Sequence, residues 1–180
     1  MKWLIIIGLM LLVISPMMWL RPSASQRRLG KLRDTAVNAG VRVKLEKPPL
    51  HNVSTLMPCY RWPYSPQRSG PRFLLVRNEE TGESLKEFQP GWRWRIEPLR
   101  PLPPDVDQRL SELLARLPQD AVVVESDREA LTLWWGESQG GDHFARYLDD
   151  FAFLRGALEG RPDRPTLRQL RVGDPDDTQR

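Results

Sequence analysis

The feature that most constrains this chain is an uninterrupted apolar run near its start. Eighteen residues from Trp3 to Leu20 carry no charge. A helix crossing the hydrocarbon core of a bilayer takes roughly 20 apolar residues, with a working range of about 17–25. Tryptophan closes the run at both ends, and Trp3 and Trp19 would lie roughly 24 Å apart along a helix rising 1.5 Å per residue. Indole prefers the membrane interface, so the pair reads as one belt on each leaflet. A cleaved signal has a shorter apolar stretch and a basic leader. Here only Lys2 precedes the run, while Arg21, Arg27, Arg28, Lys31 and Arg33 follow it. The expectation is a retained anchor over residues 1–20, not a signal peptide. Positive charge on one side then places the N-terminus outside and the C-terminal body in the cytoplasm of a bacterial cell, as a single-pass inner-membrane protein.

Charge along the chain supports that division. Residues 21–47 hold a net +6 and Lys2 adds one more, so of the chain's +4 the remainder carries −3. The basic character is juxtamembrane, which fits anionic headgroups and argues against nucleic acid as a partner. The membrane-interface set is Trp3, Trp19, Arg21, Arg27, Arg28, Lys31 and Arg33. The single cysteine, Cys59, excludes an intramolecular disulfide.

Beyond the anchor, Ser23 and Gln26 match a capping box and open a basic helix within residues 21–40, with Gly40 as its stop. Residues 41–160 read as one small α+β domain. VRVKLE (41–46), FLLVR (73–77) and WRWRIE (92–97) have strand character, and LMPCYRWPY (56–64) is an edge strand or ordered loop because of Pro58 and Pro63. Trp92 and Trp94 alternate with Arg93 and Arg95, which sends tryptophan inward and arginine out. AVVVE (121–125) and ALTLWW (130–135) form a hairpin around a Ser-Asp-Arg turn, and GESQGG (136–141) is a flexible loop. Two amphipathic helices follow the 3.6-residue period, over 106–117 with Asp105 as cap and over 143–159 with Asp142 as cap. Strands run mostly consecutively, which favours an antiparallel sheet and an α+β class over a doubly wound one. Residues 161–180 read as a disordered tail.

The stretch L-RPSASQRR-LGKLR resembles the start of the YajC-type preprotein translocase accessory subunits, through Arg21, Pro22, Gln26, Arg27 and Arg28. The resemblance implies one N-terminal span, a cytoplasmic body and a role as accessory subunit of a membrane complex. It covers about 35 residues, and the family's following G-D-x-V-x-T-x-G-G segment is replaced here by VRVKLEKPP.

Nucleotide-binding, nucleophile-elbow and zinc motifs are missing from the sequence. His51 and His143 stand alone, so neither a metal nor a cofactor is expected. Function therefore reads as an interaction domain that binds a protein partner. Adjacent strand residues face opposite ways, which makes Trp134 and Trp135 partner-contact candidates. The alternative is an anchored enzyme using carboxylates around Glu125–Glu129, where Glu125, Asp127 and Glu129 gather at a hairpin turn.

Overall fold

The computed structural model describes Trp3, Ile6 and residues 23–51, 53–80, 82 and 84–163. Three helices pack on one face of a seven-stranded sheet. In chain order the elements are α1 (Ala24–Asn38), β1 (Arg42–Glu46), β2 (Met57–Pro63), β3 (Phe73–Arg77), β4 (Glu87–Gln89), β5 (Trp92–Ile96), α2 (Pro104–Arg116), β6 (Ala121–Ser126), β7 (Ala130–Trp135) and α3 (Gly141–Leu158). The strand order is β1-β2-β7-β6-β3-β5-β4. Every neighbouring pair is antiparallel. The domain is α+β.

The expected membrane-spanning helix is not part of the described fold. No helix among the described residues is long and apolar enough to cross a membrane. The longest, α3, has 18 residues but carries Asp142, Arg146, Asp149, Asp150 and Arg155. A charge at the centre of a spanning helix costs about 2.5–3.5 kcal/mol each. The anchor, the single-pass inner-membrane placement and the N-out topology therefore do not enter the description of this fold. Of the apolar run itself, Trp3 and Ile6 are described and exposed. Trp19, Arg21 and the rest of the run lie outside the described residues, as does the tail beyond Asp163.

The main core lies between the sheet and the helices. Tyr60 and Trp62 of β2, Phe73 and Leu75 of β3, Trp92 and Trp94 of β5, and Leu131, Leu133 and Trp135 of β7 face it. Leu32 and Ala36 of α1 join it beside α3 and β1, and Phe144, Phe151 and Leu154 of α3 fill its centre. This basic helix, whose sequence suits a membrane surface and a solvated connector equally, buries Leu32 and Ala36 in the domain. A second, smaller cluster occupies the opposite face: Cys59, Leu74, Val76, Val123 and Trp134, roofed by Leu50 and Val53 of the β1–β2 connection. Arg95 donates to the Pro49 carbonyl at 2.9 Å and pins that roof.

Two local readings change for physical reasons. β2 is interior despite its prolines. Pro58 pairs only toward β1 and Pro63 only toward β7, so each missing N–H falls where one neighbour is already absent. The N-caps of α2 and α3 are Pro103 and Gly140, and Asp105 and Asp142 sit in the first turns instead. There their charge still complements the helix dipole.

Candidate functional site: a cleft on the open sheet face

The carboxylate group expected near the β6–β7 turn lines a cleft. It has a volume of about 740 Å³ and lies on the sheet face away from the helices, beyond the roofed cluster. Strand alternation sends Val124 and Ser126 to the helix side and Glu125 into the cleft. Trp134 Nε1–H donates to Glu125 Oε2 at 3.3 Å. Burial pushes the Glu125 carboxyl above its ordinary range, and Asp127 pushes it further. The Trp134 hydrogen bond, Arg61 and Arg72 oppose the shift. No ion pair reaches Glu125 among the described residues.

Asp127 holds the turn. Its Oδ1 accepts the N–H groups of Glu129 at 2.6 Å and Ala130 at 2.8 Å. Its Oδ2 accepts Arg61 Nη2 at 3.4 Å. Arg61 stands on β2 opposite Thr132 and also pairs with Glu46 at 3.8 Å and Glu129 at 3.7 Å. The other wall is built by Ile96 at the end of β5 and by Glu97 and Leu99 after it, with Leu99 73% exposed. Arg72, Pro162 and Asp163 close one end, where the Arg72 N–H donates to Asp163 Oδ2 at 3.0 Å. Gly70 also lines the cleft, packed so closely under the Tyr64 ring that no side chain fits there.

Five carboxylates (Glu97, Glu125, Asp127, Glu129, Asp163) and two guanidiniums (Arg72, Arg128) line the space. Arg61 and Lys86 pair with three of those carboxylates from outside it, which leaves one carboxylate in excess over the nearby cations. An apolar shelf, Ile96 and Leu99, runs beside the acidic wall.

The other sequence candidates go elsewhere. Trp134 is 5% exposed and Trp135 1%, so both rings are core, on opposite faces of the sheet. Trp135 donates to Asp120 at 3.0 Å and Trp134 to Glu125. Three of the basic residues of α1 find partners within the domain while Arg28 and Lys31 stay exposed and Arg33 is half-buried. Arg33 donates to both carboxylate oxygens of Glu137 at 2.8 and 2.7 Å. Arg28 donates to the carbonyls of Ser138 and Glu137, and Lys31 pairs with Asp142 at 3.6 Å. Arg27 is exposed. His51 and His143 are exposed too, and no group of metal-ligating side chains forms among the described residues.

Sequence reasoning missed Glu137. The loop read as flexible is locked: Glu137 is 4% exposed, and Tyr60 Oη–H donates to its Oε1 at 2.7 Å. Burial and the Glu137 charge push the Tyr60 hydroxyl far above its ordinary range. Its partners lie 77 and 104 residues away, beyond any local signal.

Compared with protein-family models, curated proteins and solved structures, the chain matches none of them.

Proposed function

We propose that this domain is a protein-interaction module whose open-face cleft takes a peptide segment of a partner. The observation that carries this is a cleft of about 740 Å³ in which carboxylates lie beside the exposed Leu99 and the half-buried Ile96. A segment alternating Lys or Arg with Leu or Val complements both, and a guanidinium near Glu125 would offset the cost of that buried carboxylate. The likeness of Arg21, Pro22, Gln26, Arg27 and Arg28 to translocase accessory subunits adds the expectation that the partner is a subunit of an assembly.

A second reading, acid–base chemistry at Glu125–Glu129, draws on the raised carboxyl of Glu125 in a cleft. It is the weaker one. Both oxygens of Asp127 are engaged by the turn and Arg61, and Glu129 is 83% exposed and pairs with the same arginine. A base needs a free, oriented lone pair.

The test is fluorescence anisotropy with a labelled peptide of repeating Arg-Leu-Ser units, against a Glu-Leu-Ser control. Saturable binding of the first alone, weakened at least tenfold in E97K/E129K and by added salt, is the expected result. Binding of both peptides, or none of either, rules the reading out.

A further inference from the structure

We infer that the chain's own segment 164–172, Arg-Pro-Thr-Leu-Arg-Gln-Leu-Arg-Val, docks in this cleft and must be displaced by a partner. The inference rests on the cleft being a peptide site.

Two independent observations meet here. The first is where the described chain leads. After α3, the Glu159 carboxylate accepts the Ser65 N–H at 2.7 Å, and Gly160 N–H donates to the Ser69 carbonyl at 3.1 Å. Asp163 then accepts the Arg72 N–H at 3.0 Å. These bonds guide the chain along residues 65–72 and deliver it to the cleft, which Pro162 and Asp163 themselves line. The next residue is Arg164.

The second is the chemistry of the segment that begins there. Residues 164–172 hold Arg164, Arg168 and Arg171 with Leu167, Leu170 and Val172, and no acidic residue occurs until Asp174. That is the cationic and aliphatic alternation complementary to Glu125 and Glu129 on one wall and to Ile96, Glu97 and Leu99 on the other. Nine extended residues span about 30 Å, enough to cross the cleft with slack.

Magnitudes favour docking within one chain. Exposed arginine–carboxylate pairs are weak singly. A ligand tethered by a short linker, however, works at an effective concentration on the order of millimolar. A contact with a millimolar Kd, negligible between separate molecules at micromolar concentration, is then about half occupied in cis. A free partner peptide competes against that occupancy.

The direct test uses the full chain carrying R168K, which keeps the charge and places an amine in a segment that has no lysine. A zero-length carbodiimide crosslink is formed at micromolar protein and located by mass spectrometry. A monomeric product joined from position 168 to Glu97, Glu125 or Glu129 is expected. Absence of that link, or links only between two copies, overturns the inference. A second measurement separates this claim from the one beneath it. The Arg-Leu-Ser peptide is titrated into the full chain and into the full chain carrying R168S/L170S/R171S. Binding tighter by twofold or more in the variant supports cis docking. Equal binding overturns cis docking and leaves the peptide site standing. No binding to either chain overturns both.

Discussion

Two glutamates show how opposite environments give one side-chain type opposite consequences. Glu137 sits at φ 62°, in the left-handed region that non-glycine residues seldom adopt. It is kept there by what its carboxylate receives: two bonds from Arg33 and one from Tyr60. Removing one partner of a buried pair costs about 3–5 kcal/mol. Arg33 is 40% exposed in its side chain, so solvent recovers part of that. E137Q is expected to lose about 2–3 kcal/mol in urea unfolding; a change within about 0.5 kcal/mol would show that the latch does not hold the loop. Glu125 behaves the other way. Its folded carboxyl holds a proton more tightly than the unfolded one, so its ionisation opposes folding as pH rises from the ordinary range through the raised one. E125Q removes that cost. It is expected to melt higher than the parent at pH 7 and to match it below about pH 4, where both forms are neutral. A lower melting temperature at pH 7 would show that the Trp134 bond to the charged form outweighs burial. Glu125 was legible in the sequence as one of the carboxylates at a hairpin turn, but its burial was not, because that depends on Trp134 and the cleft walls. Glu137 was not, because its environment is assembled from β2 and α1.

At the scale of elements, legibility follows the range of the interactions that set an end. The start of α1 was readable because both halves of its capping box lie within three residues. Ser23 N–H donates to Gln26 Oε1 at 2.9 Å, and Gln26 N–H to Ser23 Oγ at 3.2 Å. Its stop was readable for the same reason. Gly40 N–H donates to Val37 O and Val41 N–H to Ala36 O, a Schellman arrangement with Gly40 at φ 78°. A Cβ at Gly40 meets nothing nearby, so any penalty at this position is conformational and not steric. G40A is expected to cost about 1 kcal/mol by thermal or urea unfolding. A neutral result would mean that the α1–β1 corner relaxes away from this motif. What α1 packs against was not readable. A basic helix after an apolar run points to headgroups when only neighbours in sequence are weighed. Glu137 and Asp142, the acceptors that claim Arg33 and Lys31, come more than a hundred residues later. The prolines of β2 misled for the opposite reason: each needs one free side, and a strand with staggered neighbours supplies it without being an edge.

Across the whole molecule, the joins that make one domain are the non-local ones. β1–β2 and β6–β7 are adjacent in sequence, but β2 pairs with β7 through Cys59 opposite Trp134, and β3 with β6 through Phe73 opposite Ser126. Consecutive strands announced an antiparallel sheet; its order came from which faces had to be buried together, and pattern alone does not rank those pairings. Aromatic contacts tie the same parts from the helix side. Trp62 stacks on Phe151 with centroids 4.1 Å apart, and Phe144 contacts both Tyr60 at 4.9 Å and Trp135 at 5.7 Å. Phe144 therefore joins α3 to both strands of the β2–β7 seam, and it is fully buried. Its truncation removes contacts shared by the two halves of the sheet, so the loss falls on the global unfolding step and not on a local one. F144A is expected to cost about 3–5 kcal/mol, with tryptophan fluorescence and far-ultraviolet circular dichroism moving to the same lower midpoint. If the variant instead unfolds in two steps, with the β1–β2 region and α1 melting ahead of β3–β6, the seam is a boundary between separately stable parts and the sheet does not act as one cooperative unit.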